Sequence, residues 1–238
     1  MSKTVIVIPT LNENENVEIL LEQLIEFDIN VVFVDDNSKD GTRKTIETNQ
    51  NFNKKYFLIN REKKMGYASA CIEGINFAIN NKYEIIVQMD ADLSHSVNDL
   101  SNLLKTHGKS EVIIGSRYID GGKIIGWGLF RKYLSYVANL MCRLLLNIEI
   151  HDFTSGFRVY NAKVFSEINL KSIKVEGYSF LVEVIYRIYL NGFTVTEVPI
   201  LFNDRKFGQS KLDKKVILES IFNLIRLFLN RIINRSIR

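Results

Sequence analysis

The chain has 238 residues, 46% of them hydrophobic, with two prolines and a formal net charge of only +4. This content suits one globular unit with a substantial core and excludes a disordered chain, while two distant cysteines, Cys71 and Cys142, exclude a disulfide framework and suit a reduced, cytosolic protein. Between Phe202 and Arg238, nine Lys/Arg face three acidic residues, so a basic segment with an anionic partner is appended to a nearly neutral body.

Residues 3–8 read as a buried strand, entered from the N-terminus with no signal-peptide pattern. Residues 12–27 carry Val17, Leu20, Leu21, Leu24 and Ile25 at helical spacing. A second strand at 31–34 runs into Asp35-Asp36-Asn37-Ser38-Lys39-Asp40-Gly41-Thr42, a loop of turn formers and helix caps. A strand is expected at 56–59, a helix at 65–80 and a strand at 83–89. Strands alternating with helices predict a mostly parallel sheet with ligands at the carboxyl ends of its strands. Three strands end there in polar loops, at 9–13, 35–42 and 90–95.

A helix at 97–106 and a strand at 111–115 follow, and the alternation then fails. Residues 127–148 and 212–237 are rich in Leu, Ile and Phe but broken by charges, Arg131, Lys132 and Arg143 in the first and Glu219, Arg226 and Arg231 in the second. Neither offers the ~18 uncharged apolar residues of a transmembrane span. With Trp127 and Tyr133, they suit helices lying in a membrane interface, or else core or oligomer helices. The expected organisation is a catalytic domain over 1–212 and a basic amphipathic helix over 213–238. That helix is too apolar for a nucleic-acid binder and lacks a stacking face.

Four loops carry candidate chemistry. In Asp90-Ala91-Asp92-Leu93-Ser94-His95, two aspartates at the end of a strand can converge on a hard divalent cation that carries a diphosphate. Alone, such a pair is more often a solvated turn. Asp35-Asp36 can accept hydrogen bonds from a base or ribose, or serve as a turn and cap. Gly115-Ser116-Arg117-Tyr118 sets an arginine at a strand end, placed for phosphate or for a salt bridge. Asn203–Lys211 gathers Arg205, Lys206 and Lys211, which can close over a diphosphate or remain a solvated basic loop. His95, His107 and His151 are not spaced for a metal site, 151–158 gains no role from pattern, and neither a nucleophile triad nor a dinucleotide fingerprint is present.

Taken in order, Pro9-Thr10-Leu11-Asn12-Glu13, the 34–42 loop, Met89–His95, Gly115–Tyr118 and Thr154-Ser155-Gly156-Phe157-Arg158 resemble the family-two glycosyltransferases. Gly121-Gly122, Gly126-Trp127, Arg131, Ser135, Asn139, Gly177-Tyr178-Ser179-Phe180 with Glu183, and Val198-Pro199-Ile200 through Gly208-Gln209-Ser210-Lys211 narrow the resemblance to the dolichyl-phosphate (polyprenyl-phosphate) mannosyltransferase branch. The resemblance implies an α/β glycosyltransferase-A fold, a Rossmann-like mostly parallel sheet flanked by helices, with amphipathic interface helices in the second half. It implies inverting transfer of mannose from GDP-mannose to dolichyl or polyprenyl phosphate, a Mg or Mn cation, and a peripheral site on the cytosolic membrane face. Pro9, Leu11, Glu13, Val34 and Asp36 would line the nucleoside pocket, and Asp90, Asp92 and Ser94 would hold the metal, with the Ala91 backbone against the donor. Arg117 would meet phosphate, Arg131 and Ser135 the acceptor phosphate, and Arg205 and Lys211 the donor diphosphate; Asp92, Arg117 and Arg131 are the catalytic candidates. Leu11 stands where mannosyl enzymes commonly have Tyr, which keeps UDP-glucose open as donor, as is a soluble family-two enzyme acting on a glycan. Leu181 stands where the eukaryotic pattern has Gln, and the paired transmembrane helices that some relatives append are not expected.

Overall fold

The computed structural model describes residues 3–205, 207 and 214–236. In chain order the first half comprises β1 (Thr4–Thr10), α1 (Asn14–Leu24), β2 (Asn30–Asp35), α2 (Thr42–Glu47), β3 (Tyr56–Asn60), α3 (Tyr67–Asn80), β4 (Ile85–Gln88), α4 (Val97–Thr106) and β5 (Val112–Ser116). The second half comprises β6 (Lys123–Ile125), α5 (Leu129–Leu146), β7 (Arg158–Asn161), α6 (Gly177–Leu190), β8 (Val195–Pro199), β9 (Leu201–Asn203) and α7 (Lys214–Ser236).

Seven strands form one sheet in the order β3-β2-β1-β4-β7-β5-β8. Only β7 runs antiparallel, between β4 and β5; the other pairings are parallel. β6 and β9 make a small parallel pair outside it. The central strands β1, β2 and β5 are continuous apolar runs because both faces are covered. Val5, Val7, Val32 and Ile114 face a core shared with α3, α5 and α6. The alternate residues Ile6, Ile8, Phe33 and Ile113 face a core shared with α1 and α4. Helix α3 lies so close to β1 that a Cβ on Gly74 would stand 2.3 Å from Val7 Cγ1.

Four expectations change. The polar 35–42 loop leads into α2, because Asp40 accepts from the Thr42 backbone N–H at 3.0 Å and from its hydroxyl at 2.6 Å. The strand-like stretch 195–202 divides at Ile200, whose N–H donates to Ser116 O while its carbonyl accepts from Lys123, so β8 stays with β5 and β9 leaves to join β6. β7 was hidden by a charge, since its first residue, Arg158, is fully buried. Helix α6, with Phe180, Val184, Ile185 and Ile188 buried, lies where no helix was expected.

The helix expected as an appended unit packs into the body. Glu219 of α7 accepts from Glu176 N–H at 2.9 Å, Ser220 meets Ser179 at 3.0 Å, Arg226 pairs with Glu183, and Arg231 donates to Leu145 O of α5 at 2.8 Å. Large apolar side chains of the two helices still face outward, including Phe130 at 79% and Phe222 at 70% exposure. No described helix is long and apolar enough to cross a membrane.

Candidate active site

A cleft of about 370 Å³ opens at the carboxyl ends of β1, β2 and β4. The loop after β1 contributes Pro9, Leu11 and Glu13; the loop after β2, Asp36; the loop after β4, Asp90, Ala91 and Asp92; the segment after β9, Arg205. Eight expected residues, from loops far apart in sequence, therefore share one wall. Lys64, Tyr67, Glu176 and Tyr178 also line it, although sequence reasoning gave them no site role. A register in which Thr10 lies beside Asp35, and Val7 beside Gln88, brings the loops to one edge of the sheet.

Asp35 and Asp36 divide their work. Asp35 is buried and accepts from the Thr10 hydroxyl at 3.1 Å and the Ser38 backbone at 2.8 Å. Asp36 accepts from Arg61 and Met65 N–H at 2.8 Å and from Gly66 N–H at 2.9 Å, which seats the 61–66 loop against the cleft. Gly66 has φ +97°, and a Cβ there would stand 2.6 Å from Glu176 Oε2. Glu176 in turn accepts from Ala68 N–H at 3.1 Å, across 108 residues, at the start of α3. Burial, and secondarily Glu219 and Asp36, raise the Glu176 carboxyl above the usual range, even though the Ala68 hydrogen bond opposes this.

The aspartate pair is shaped by a tight turn with Leu93 at φ 60°. Asp92 Oδ1 accepts from Ser94 N–H at 3.1 Å and Ser94 Oγ at 2.6 Å, while Oδ2 lies 3.5 Å from Arg205 Nη2. Asp90 Oδ1 accepts from Tyr67 at 3.0 Å, and Oδ2 lies 3.4 Å from His95 Nε2. Burial alone would raise the Asp90 carboxyl, but His95, Tyr67 and Arg205 outweigh it and hold the group below the usual carboxylate range. Both side chains keep surface toward the cleft, 31% for Asp90 and 15% for Asp92.

These residues fit a hard divalent cation. Two ionised carboxylates at a cleft mouth offer oxygen donors, and Mg²⁺-type ions take one or two carboxylates with substrate phosphates and water. Among the described residues no group of three or more His, Cys, Asp or Glu could hold a metal, so diphosphate oxygens would have to complete the shell. Ser94 is 1% exposed and spends its hydroxyl on Asp92; here it orients that carboxylate, where a ligand was expected.

Two more expectations change. Val34 lies wholly within the core beside Gly74, away from the cleft. Arg117 does not reach the cleft either. Its fork is closed on Asp152, with Nε to Oδ2 at 2.8 Å and Nη2 to Oδ1 at 2.7 Å, and Nη2 also donates to Thr154. The rings of Phe202, Tyr118 and Trp127 lie 5.1–5.5 Å from its guanidinium. The pair anchors the loop that delivers Thr154 and Gly156 to the cleft, and Asn139 assists by accepting from Phe153 N–H at 2.7 Å. Arg131 and Ser135 stand on α5 outside the cleft lining. Arg131 covers Trp127 at 3.9 Å and pairs with Asp204 at 3.1 Å, one residue from Arg205. The Ser135 carbonyl accepts from Asn139. Lys206, Gly208, Gln209, Ser210 and Lys211 lie outside the described residues.

Residues 5–168 match Glycosyl transferase family 2. The chain belongs to that family. This family-2 glycosyltransferase is 34% identical to a Mycolicibacterium smegmatis protein named polyprenol monophosphomannose synthase, over 93% of this chain and 85% of that one. It is also 34% identical to a Micrococcus luteus protein named undecaprenyl-phosphate mannosyltransferase, over 92% and 91%. Among solved structures, glucosyl-3-phosphoglycerate synthase of Mycobacterium tuberculosis, in complex with Mn²⁺, UDP and phosphoglyceric acid, superposes with a TM-score of 0.67 at 16% identity, covering 96% of this chain and 78% of that one. Its complex with Mg²⁺ and UDP gives 0.66 at 16% identity, with the same coverage. The expected glycosyltransferase-A fold is thus observed, with a mostly parallel sheet between helical layers.

Proposed function

We propose that this family-2 glycosyltransferase moves mannose from GDP-mannose to the phosphate of a polyprenyl lipid, with inversion at the anomeric carbon. The observation that carries the reading is the convergence of Asp90, Asp92 and Arg205 on one cleft, in a chain alike over nine-tenths of its length to two proteins named for this transfer. The loops after β1 and β2 form the cleft's nucleoside end, where Glu13 and Asp36 offer acceptors to a base or ribose. Asp90 and Asp92 would hold a Mg or Mn ion, which when bound neutralises charge on the leaving diphosphate. Arg205, tied to Asp92, adds a fixed cation to the same task. The acceptor phosphate monoester is already ionised near pH 7, so no side chain need remove a proton from it. Arg131 and Ser135, on α5 outside the cleft lining, are the proposed contacts for that phosphate.

The donor is tested by radiolabel transfer into lipid extract. GDP-mannose is expected to label the organic phase at least about tenfold faster than UDP-glucose, the discrimination available to a site that hydrogen-bonds the base. Equal or faster transfer from UDP-glucose would reverse the donor assignment. That second reading has one observation in its favour: Leu11, in the cleft wall, offers no ring to stack on a nucleobase.

The proposed location is the cytosolic face of a membrane, held peripherally by α5 and α7. Leu129, Phe130 and Tyr133 on α5 and Leu218, Ile221 and Phe222 on α7 are exposed, beside a basic chain end suited to anionic lipid. Phe130→Asp with Phe222→Asp is expected to cut pelleting with anionic vesicles by at least about tenfold, since each buried Phe is worth about 1.5–3 kcal/mol. Undiminished pelleting would remove these helices from the docking surface.

A further inference from the structure

We infer that Tyr67 is a positioning residue for Asp90, the last link of a hydrogen-bond chain that begins on a buried arginine. The inference rests on the reading of Asp90 as a metal-binding carboxylate.

The chain begins at Arg158, which is fully buried in β7. Its guanidinium donates to backbone carbonyls: Nε to Ser155 O at 2.8 Å, Nη2 to Phe153 O at 2.7 Å and Nη1 to Leu181 O at 2.9 Å. Nη1 also reaches the Tyr160 hydroxyl at 3.4 Å. Tyr160 donates to Gln88 Oε1 at 3.2 Å, Gln88 Nε2 donates to the Tyr67 hydroxyl at 3.0 Å, and Tyr67 donates to Asp90 Oδ1 at 3.0 Å.

The two ends set the direction of every link. A guanidinium can only donate and an ionised carboxylate can only accept. Tyr160 therefore accepts from Arg158 and passes its own proton toward Gln88. The Gln88 amide is oriented with oxygen to Tyr160 and nitrogen to Tyr67, and the Tyr67 hydroxyl is left with one choice, donation to Asp90. Links that share one sense polarise one another in a dry interior. Cys71 Sγ, at 3.5 Å, is a second acceptor for the Gln88 amide and leaves this direction unchanged.

The loop carrying Gly156 closes on the same two groups. A Cβ at Gly156 would stand 2.9 Å from Asp90 Oδ2 and 3.0 Å from the Tyr67 hydroxyl. Arg158 holds that loop by the carbonyls of Phe153 and Ser155. One buried cation thus both presses the loop onto Asp90 and orients the hydroxyl that binds it. Among the described residues Asp90 also meets His95, at 3.4 Å, a longer contact than that of Tyr67. Tyr67 thereby fixes the rotation of the carboxylate.

The test is Mn²⁺ titration of the protein with saturating nucleoside diphosphate (GDP, and UDP in parallel) to complete the shell, read from the electron paramagnetic resonance signal of free Mn²⁺ against a blank without protein. Loss of such an outer hydrogen bond typically weakens metal affinity by about 10–100-fold. Tyr67→Phe, folded by circular dichroism, is expected to show that weakening, and excess Mn²⁺ is expected to restore its sugar transfer, as it would not after a merely structural lesion. Gln88→Met, which leaves the Tyr67 hydroxyl in place without its donor, is expected to weaken binding by a smaller factor and decides the matter alone should Tyr67→Phe not fold. Mn²⁺ affinity within about twofold of wild type in the folded variants overturns the inference and leaves the metal site standing. Wild-type protein that binds no Mn²⁺ overturns both.

Discussion

Asp92→Ala is expected to lower kcat for sugar transfer by about a thousandfold while the protein melts as the wild type does. A cation at a leaving diphosphate is worth several kcal/mol, and each 1.36 kcal/mol is a factor of about ten. Asp92 sits at the cleft mouth, and its partners are a neighbouring serine and Arg205. Its truncation opens no cavity in either core. The loss also removes the contact at 3.5 Å that draws Arg205 toward the diphosphate site. Radiolabel transfer beside a circular-dichroism melt separates the two effects, and full activity in the variant would sink the metal assignment.

Arg117→Ala is expected to act on stability. Breaking a buried ion pair from one side costs about 3–5 kcal/mol, because the other charge is left buried without its partner. The side chains of Arg117 and Asp152 are 3% and 0% exposed, and the guanidinium is ringed by aromatic faces. Urea denaturation should show that loss. Replacing both, as Arg117→Met with Asp152→Leu, should recover much of it, since an apolar pair of similar volume is often no worse than a buried ion pair. The pH dependence has a defined sign. Burial raises the Asp152 carboxyl, but Arg117 and then Arg158 prevail and hold it below its ordinary value of 3.8. A depressed folded-state value contributes stability above the unfolded pKa, and that stability is lost as the pH falls through the lower, folded value. The wild type should therefore lose stability below about pH 4 by a component that the double variant lacks. Equal stability of Arg117→Ala and wild type would return Arg117 to the role of a free phosphate ligand.

Much of the first half was legible in the primary structure. β1, β2, β4 and β5 are buried on both faces, so they appear as largely apolar runs, and α1, α3 and α4 carry apolar positions at helical spacing. The polar loops between them marked the cleft, because strand ends on a parallel sheet are where side chains can meet a ligand. The second half was less legible because its elements break the local rules. β7 opens on a fully buried arginine, β9 is three residues long, and α6 begins beside the cleft and passes through the core before ending in solvent.

Residue type and spacing were enough to pick out the aspartate pair, the loops that surround it and the excess positive charge at the chain end. They could not say where each charge is committed. Arg117 and Arg205 look alike in sequence, yet Arg117 is consumed by Asp152, 35 residues away, and Arg205 faces the cleft. Ser94 stood as a ligand until its hydroxyl was found on Asp92, and Tyr67, within the helix expected over 65–80, had no role until its hydroxyl was found on Asp90. Local pattern follows from backbone geometry, which repeats every few residues and is written into any short window of sequence. The commitment of a side chain depends on partners that folding brings from tens of residues away, in an interior where an unsatisfied polar group is costly.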